Sequence, residues 1–124
     1  METKTINVIT LAYIGDAVYE LYIRESFLKK GIIKVEELQK EVTKYVSAKG
    51  QAKILKELIQ KEELTEEEIE IVKRGRNYKR SIHPKYTDLG TYKLSTGFET
   101  LIGYLYLDNQ KERLNEIFQT IEVK

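Results

Sequence analysis

The sequence predicts an all-α protein built as one domain over residues 1–124. Three observations carry that prediction. Apolar residues recur at helical spacing along most of the chain, no stretch alternates at strand period for a useful length, and helix caps separate the apolar stripes. A length of 124 residues with 41% hydrophobic content is enough for one buried core.

The first helix is expected from about Asn7 to Lys29, stopped by Gly31. A second starts near Val35, with Leu38, Val42 and Val46 on one stripe. Ser47 is the N-cap of a third, whose apolar positions are Ala48, Ala52, Leu55, Leu58 and Ile59. Thr65 and Glu68 form a capping box that opens a fourth helix with Ile69 and Val72 inward, ending around Asn77 or Lys79. Its acidic first turn and basic last turn both suit the helix dipole. Residues 81–93, with the sole proline (Pro84) and Gly90, read as the one long loop. Ser95 or Thr96 caps a fifth helix, Asp108-Asn109 breaks it, and a last helix from about Gln110 to Ile121 turns Leu114, Ile117, Phe118 and Ile121 inward.

Composition removes several chemistries. Without cysteine there are no disulfides, thiolate metal sites or cysteine nucleophiles, which suits a reducing cytoplasm. A single histidine, His83, rules out a multi-histidine zinc site. Any metal site must use oxygen ligands, favouring Mg²⁺ or Mn²⁺. Neither a secretory signal nor a membrane span is expected, so the predicted location is cytoplasmic. The net charge of +1 conceals an asymmetry. Seven glutamates face one lysine between Glu57 and Glu70, and seven lysines and arginines face one aspartate between Lys73 and Lys93. The acidic run reads as a solvated face. The basic run, interleaved with Asn77, Tyr78, Tyr86 and Tyr92, is a plausible footprint for a polyanion.

Two apolar helices each hold an acid. Asp16 lies among Tyr13, Ile14, Ala17 and Val18 and is expected to be partly shielded from water, and Glu20 follows one turn later on the same face. Glu99 lies within Ser95-Thr96-Gly97-Phe98-Glu99-Thr100-Leu101-Ile102-Gly103. A shielded carboxylate needs a hydrogen bond, a cation or a metal. Two such helices suggest a shared carboxylate site for a hard cation. Helix one is also apolar on too many sides for a surface element: it is either the central helix of the bundle or is covered by a second subunit.

The string from Leu11 to Glu20, the segment Arg74-Gly75-Arg76-Asn77 and the run from Ser95 to Glu99 continuing to Leu107 resemble the ribonuclease III family in order and spacing. Within it they most resemble the compact Mini-ribonuclease III branch, which has the nuclease domain without a separate double-stranded-RNA-binding domain. The resemblance implies an Mg²⁺-dependent endoribonuclease that cuts both strands of double-stranded RNA and leaves 5′-phosphate and 3′-hydroxyl ends. It implies maturation of the large-subunit ribosomal RNA precursor, with a ribosomal protein as an accessory partner to look for. Asp16 and Glu99 match the family's catalytic, metal-binding acids, and Gly15 and Gly103 would let their helices approach. The larger family has further acids where this chain has Ala12 and Thr96, which leaves the number of bound ions open. Glu20 is the candidate outer ligand. The family dimerises through helix one, with an aromatic at the position of Tyr13 against the partner, so a homodimer is expected.

A-form RNA is held mainly through phosphates and sugars. Arg74, Arg76, Asn77, Lys79, Arg80 and Lys85 have suitable chemistry, and Lys49 and Gln51 at the start of helix three form a second candidate patch. Two rivals keep the fold and change the function: a dimer that grips duplex RNA without cutting it, and an all-α adaptor that binds protein partners.

Overall fold

In the computed structural model, residues 2–79, 87–121 and 123 are described. After a short 3₁₀ turn at Thr3–Thr5 come six helices: α1 (Val8–Lys29), α2 (Val35–Val46), α3 (Ala48–Gln60), α4 (Glu66–Arg76), α5 (Leu89–Leu107) and α6 (Lys111–Gln119). The caps expected at Ser47 and Thr65 form, and Asn7 caps α1. The Asn7 side chain accepts from the Ile9 N–H at 2.8 Å, Ser47 accepts from Gly50, and Thr65 and Glu68 make both bonds of the capping box. Gly31 stops α1 at φ 97°, a left-handed conformation that glycine adopts without a Cβ clash. Asn109, at φ 61°, breaks the chain between α5 and α6.

The fifth helix departs from expectation. It starts at Leu89, capped by Asp88 through the Thr91 N–H at 2.9 Å, so residues 89–93 are helical and not loop. Ser95 and Thr96 lie inside it, buried, and cap nothing. Burial of the Leu94–Leu105 stretch outweighs the weak turn preference of Gly90.

The central element of the bundle is α5, not α1. It packs on α1, α3 and α4, and α6 closes one side. Ser95 through Leu105 are buried except Glu99, which is half-buried. On α1, Tyr19 sets its ring edge-on to Phe98 at 4.9 Å and donates its hydroxyl to the Tyr45 carbonyl at 2.9 Å. Tyr22 stacks on Phe118 at 4.3 Å and donates to the Phe118 carbonyl. These aromatic contacts tie α1 to α2, α5 and α6. The opposite side of α1 stays open: Tyr13 is 78% exposed, and Leu21 and Leu28 are also exposed. Of the inner positions expected on α3, Ile59 is exposed.

One acid of the solvated run is not solvated. Glu68 is buried, and Arg113 of α6 donates to both of its oxygens at 2.8 Å and to the Glu63 carbonyl at 2.6 Å. Burial alone would raise the Glu68 carboxyl. Hydrogen bonds from Arg113 and from the Thr65 backbone outweigh it, holding Glu68 below the usual carboxylate range. A carboxyl lowered in the folded state contributes stability above its unfolded pKa, and that contribution is lost as pH falls through the folded value. Arg113→Met leaves a buried carboxylate unpaired and is expected to cost about 3 kcal/mol at neutral pH. The penalty should shrink at acidic pH, as the pH falls through the lowered Glu68 pKa and the carboxyl becomes protonated. Urea unfolding at neutral and at acidic pH measures it, and an equal loss at both would contradict this account.

Candidate active site at the crossing of α1 and α5

The site is built on a helix crossing in which two glycines replace side chains by backbone. A Cβ on Gly15 would stand 1.8 Å from the Glu99 carbonyl oxygen, and one on Gly103 would stand 1.8 Å from the Leu11 carbonyl oxygen. No side chain fits in either place, so α1 and α5 touch backbone to backbone. Asp16 follows Gly15 on α1, and Gly15 meets the backbone of Glu99 on α5. A second close contact holds α4 to the other flank of α5, where Gly75 meets Thr100 and Gly97 meets the Val72 carbonyl.

Asp16 is exposed in the single chain, not partly shielded, because α1 turns that face away from the core. Glu99 is half-buried, and its Oε2 accepts from the side-chain amide of Gln51 at 3.2 Å. Gln51 itself is 1% exposed. It therefore does not belong to a surface RNA patch with Lys49, which is exposed one residue before Gly50. The first turn of α3 points Gln51 into the core, where its amide also donates to the Val46 carbonyl at 3.1 Å and accepts from Ser95 at 2.7 Å. Spacing placed Gln51 next to Lys49 on the sequence, but its helical phase, in step with Leu55 and Leu58, marks the inward face.

Glu20 pairs with Arg24 one turn along α1. Among the described residues no cluster of three acids or histidines could hold a metal. The site offers two carboxylates, from Asp16 and Glu99. That set fits Mg²⁺, which keeps several waters and is commonly bound through one or two carboxylates plus substrate phosphate oxygens.

The basic candidates gather where α4 ends and α5 begins. Arg74, Asn77 and Lys79 are exposed and Arg76 is half-buried. One depression there is lined by Gly75, Tyr78, Lys79, Tyr92 and Lys93, and a neighbouring one by Lys56, Arg76, Asn77, Asp88 and Lys93. Lys56 is an addition that sequence spacing did not suggest, since it comes from α3. Arg80, Lys85 and the His83-Pro84 pair lie outside the described residues.

The Ribonuclease III domain family matches residues 9–110, which include all of α1 but its first residue, both acids and the Gly15–Gly103 crossing. The chain belongs to the ribonuclease III family. Relatives in this family include Mini-ribonuclease 3 of Enterococcus faecalis, 48% identical over 92% of this chain and 86% of the relative. Mini-ribonuclease 3 of Streptococcus pneumoniae is 45% identical over 94% of this chain and 91% of its own. A crystal structure of a protein from Fusobacterium nucleatum superposes with a TM-score of 0.81 at 34% identity, covering 94% of this chain and 91% of that one. The all-helical family fold therefore agrees with the expectation drawn from periodicity.

Proposed function

We propose that this chain is a divalent-cation-dependent endoribonuclease that cleaves both strands of double-stranded RNA, leaving 5′-phosphate and 3′-hydroxyl ends. The observation that carries the reading is the α1–α5 crossing, where Gly15, the residue before Asp16, packs on the Glu99 backbone within a ribonuclease III domain. Asp16 and Glu99 would hold Mg²⁺, with Mn²⁺ as a substitute. The cation, when bound, relieves charge on the phosphate and activates water. The residues of the chain do the rest. Glu99 is oriented by Gln51, and the cations at the end of α4 grip the RNA backbone without reading bases.

We place the enzyme in the cytoplasm, acting on the large-subunit ribosomal RNA precursor, where a ribosomal protein is the accessory partner to test. No helix among the described residues is long and apolar enough to cross a membrane. The working form is a homodimer. Tyr13, Leu21 and Tyr106 expose apolar surface, and a groove lined by Ala17, Val18, Leu21, Tyr22 and Tyr106 continues it. Such a face, built mostly on α1 with Tyr106 of α5, favours a symmetric partner. Tyr13→Glu should then give a monomer in sedimentation at micromolar concentration and lower the cleavage rate with it. A variant that stays dimeric moves the interface elsewhere.

The function is tested with end-labelled duplex RNA in Mg²⁺ or in EDTA. Cuts on both strands that need Mg²⁺ support the reading, binding without cutting supports the non-catalytic rival, and neither supports the adaptor. In the same assay, neutralising Arg74 and Arg76 should weaken binding across many duplex sequences. Each lost phosphate contact should flatten the log–log salt slope by roughly one unit or less. Unaltered affinity would move the RNA path toward Lys49.

A further inference from the structure

We propose that Gln51 is a positioning residue for the reaction: its buried amide, clamped by Ser95 and the Val46 carbonyl, fixes the Glu99 carboxylate in the orientation in which it takes a divalent cation. This rests on the reading of Glu99 as a cation ligand given above. The side chain of Gln51 is 1% exposed and sits among core residues of α3, where an aliphatic chain of similar length would fill the space. A buried amide is tolerated only when its polar atoms are bonded.

Here the bonds also dictate its orientation. The Val46 carbonyl (3.1 Å) and the Glu99 carboxylate (3.2 Å) can only accept, so Nε2 must face both and uses its two protons on them. Oε1 is left to accept from the Ser95 hydroxyl at 2.7 Å. The three partners belong to the end of α2 and to two successive turns of α5. A 180° flip would set Oε1 against two acceptors. The amide thus has one setting, and it presents a donor to the ionised form of Glu99. Hydrogen bonds of this kind to a ligating carboxylate orient it and tune its affinity, and their loss typically lowers metal affinity or activity about 10- to 100-fold.

Two variants test the relay. Gln51→Met keeps length and volume and removes the donors, while Ser95→Ala removes only the bond that steadies Gln51. Mn²⁺ binding to the RNA-free protein is read by electron paramagnetic resonance. The Mg²⁺ concentration for half-maximal cleavage of duplex RNA is measured alongside, and thermal melts establish folding. Gln51→Met should weaken Mn²⁺ binding about 10-fold or more and raise the Mg²⁺ requirement in parallel. Excess Mg²⁺ should recover much of the rate, and duplex binding in EDTA should not change. Ser95→Ala should shift both quantities the same way by less. The double variant should be no worse than Gln51→Met, because Ser95 acts through Gln51. A folded Gln51→Met protein with wild-type Mn²⁺ binding and Mg²⁺ requirement overturns the proposal. Should that variant fail to fold, a wild-type result for Ser95→Ala overturns it instead. Glu99→Gln, run beside them, separates the two levels. If it also binds Mn²⁺ normally, the cation role of Glu99 falls and the relay with it. If it loses Mn²⁺ while Gln51→Met keeps it, only the relay falls.

Discussion

Asp16→Asn and Glu99→Gln are each expected to slow cleavage of duplex RNA by roughly 10²- to 10⁴-fold at saturating Mg²⁺, while RNA still binds. A bound cation supplies several kcal/mol of charge stabilisation to a phosphoryl transfer, and each 1.36 kcal/mol is a factor of ten in rate. Both substitutions keep the shape of the side chain and remove the charge that holds the ion. The fold should tolerate them. Asp16 is exposed, so its neutralisation should change stability by no more than about 0.5 kcal/mol. At Glu99 an amide oxygen can still accept from Gln51 across the 3.2 Å contact. Single-turnover cleavage, with binding measured in EDTA, tests this. Substantial residual cutting by either variant would dismiss the two-carboxylate site.

Much of this architecture was legible in the residues. Ser47 and the Thr65–Glu68 box announce their helices because cap chemistry is local: the side chain and the N–H it serves are three residues apart. The start of α5 was misread because Ser95 and Thr96 look like caps, whereas their hydroxyls serve the interior. Thr96 donates to the Tyr92 carbonyl and Ser95 to Gln51. Glu68 and Gln51 were hidden for the same reason. Each is a polar residue in a polar stretch, and the partner that lets it be buried is distant in sequence: Arg113 for the one, Ser95 and Glu99 for the other. Long-range pairing leaves no periodic signal. The weak segregation of apolar residues around α1 was visible; in the structure α5 holds the centre, and one side of α1 is exposed in the single chain.

Gly15→Ala is expected to damage stability and catalysis together. Alanine is normally the better helix residue by about 1 kcal/mol, so at an exposed helical glycine the change stabilises. Gly90 serves as that control, because a Cβ there meets only the Asp88 side chain at 3.4 Å. At Gly15 the new Cβ would lie 1.8 Å from the Glu99 carbonyl oxygen and 2.7 Å from the Gly103 nitrogen. Both obstacles are backbone within helix α5, so neither can rotate away. The helices must part by an ångström or more, along the interface that holds the core of the bundle. Overpacking of this kind costs about 3 kcal/mol or more after the propensity gain is offset. For a domain of this size that lowers Tm by about 10 °C. The same displacement separates Asp16 from Glu99, and a shift of about 1 Å at reacting groups can slow a reaction 10²-fold. Cleavage measured well below the lowered Tm, on protein shown by circular dichroism to be folded, isolates that second effect. A Gly15→Ala protein that melts and cuts like the wild type would show that the backbone contact between α1 and α5 does not set the spacing of the two acids.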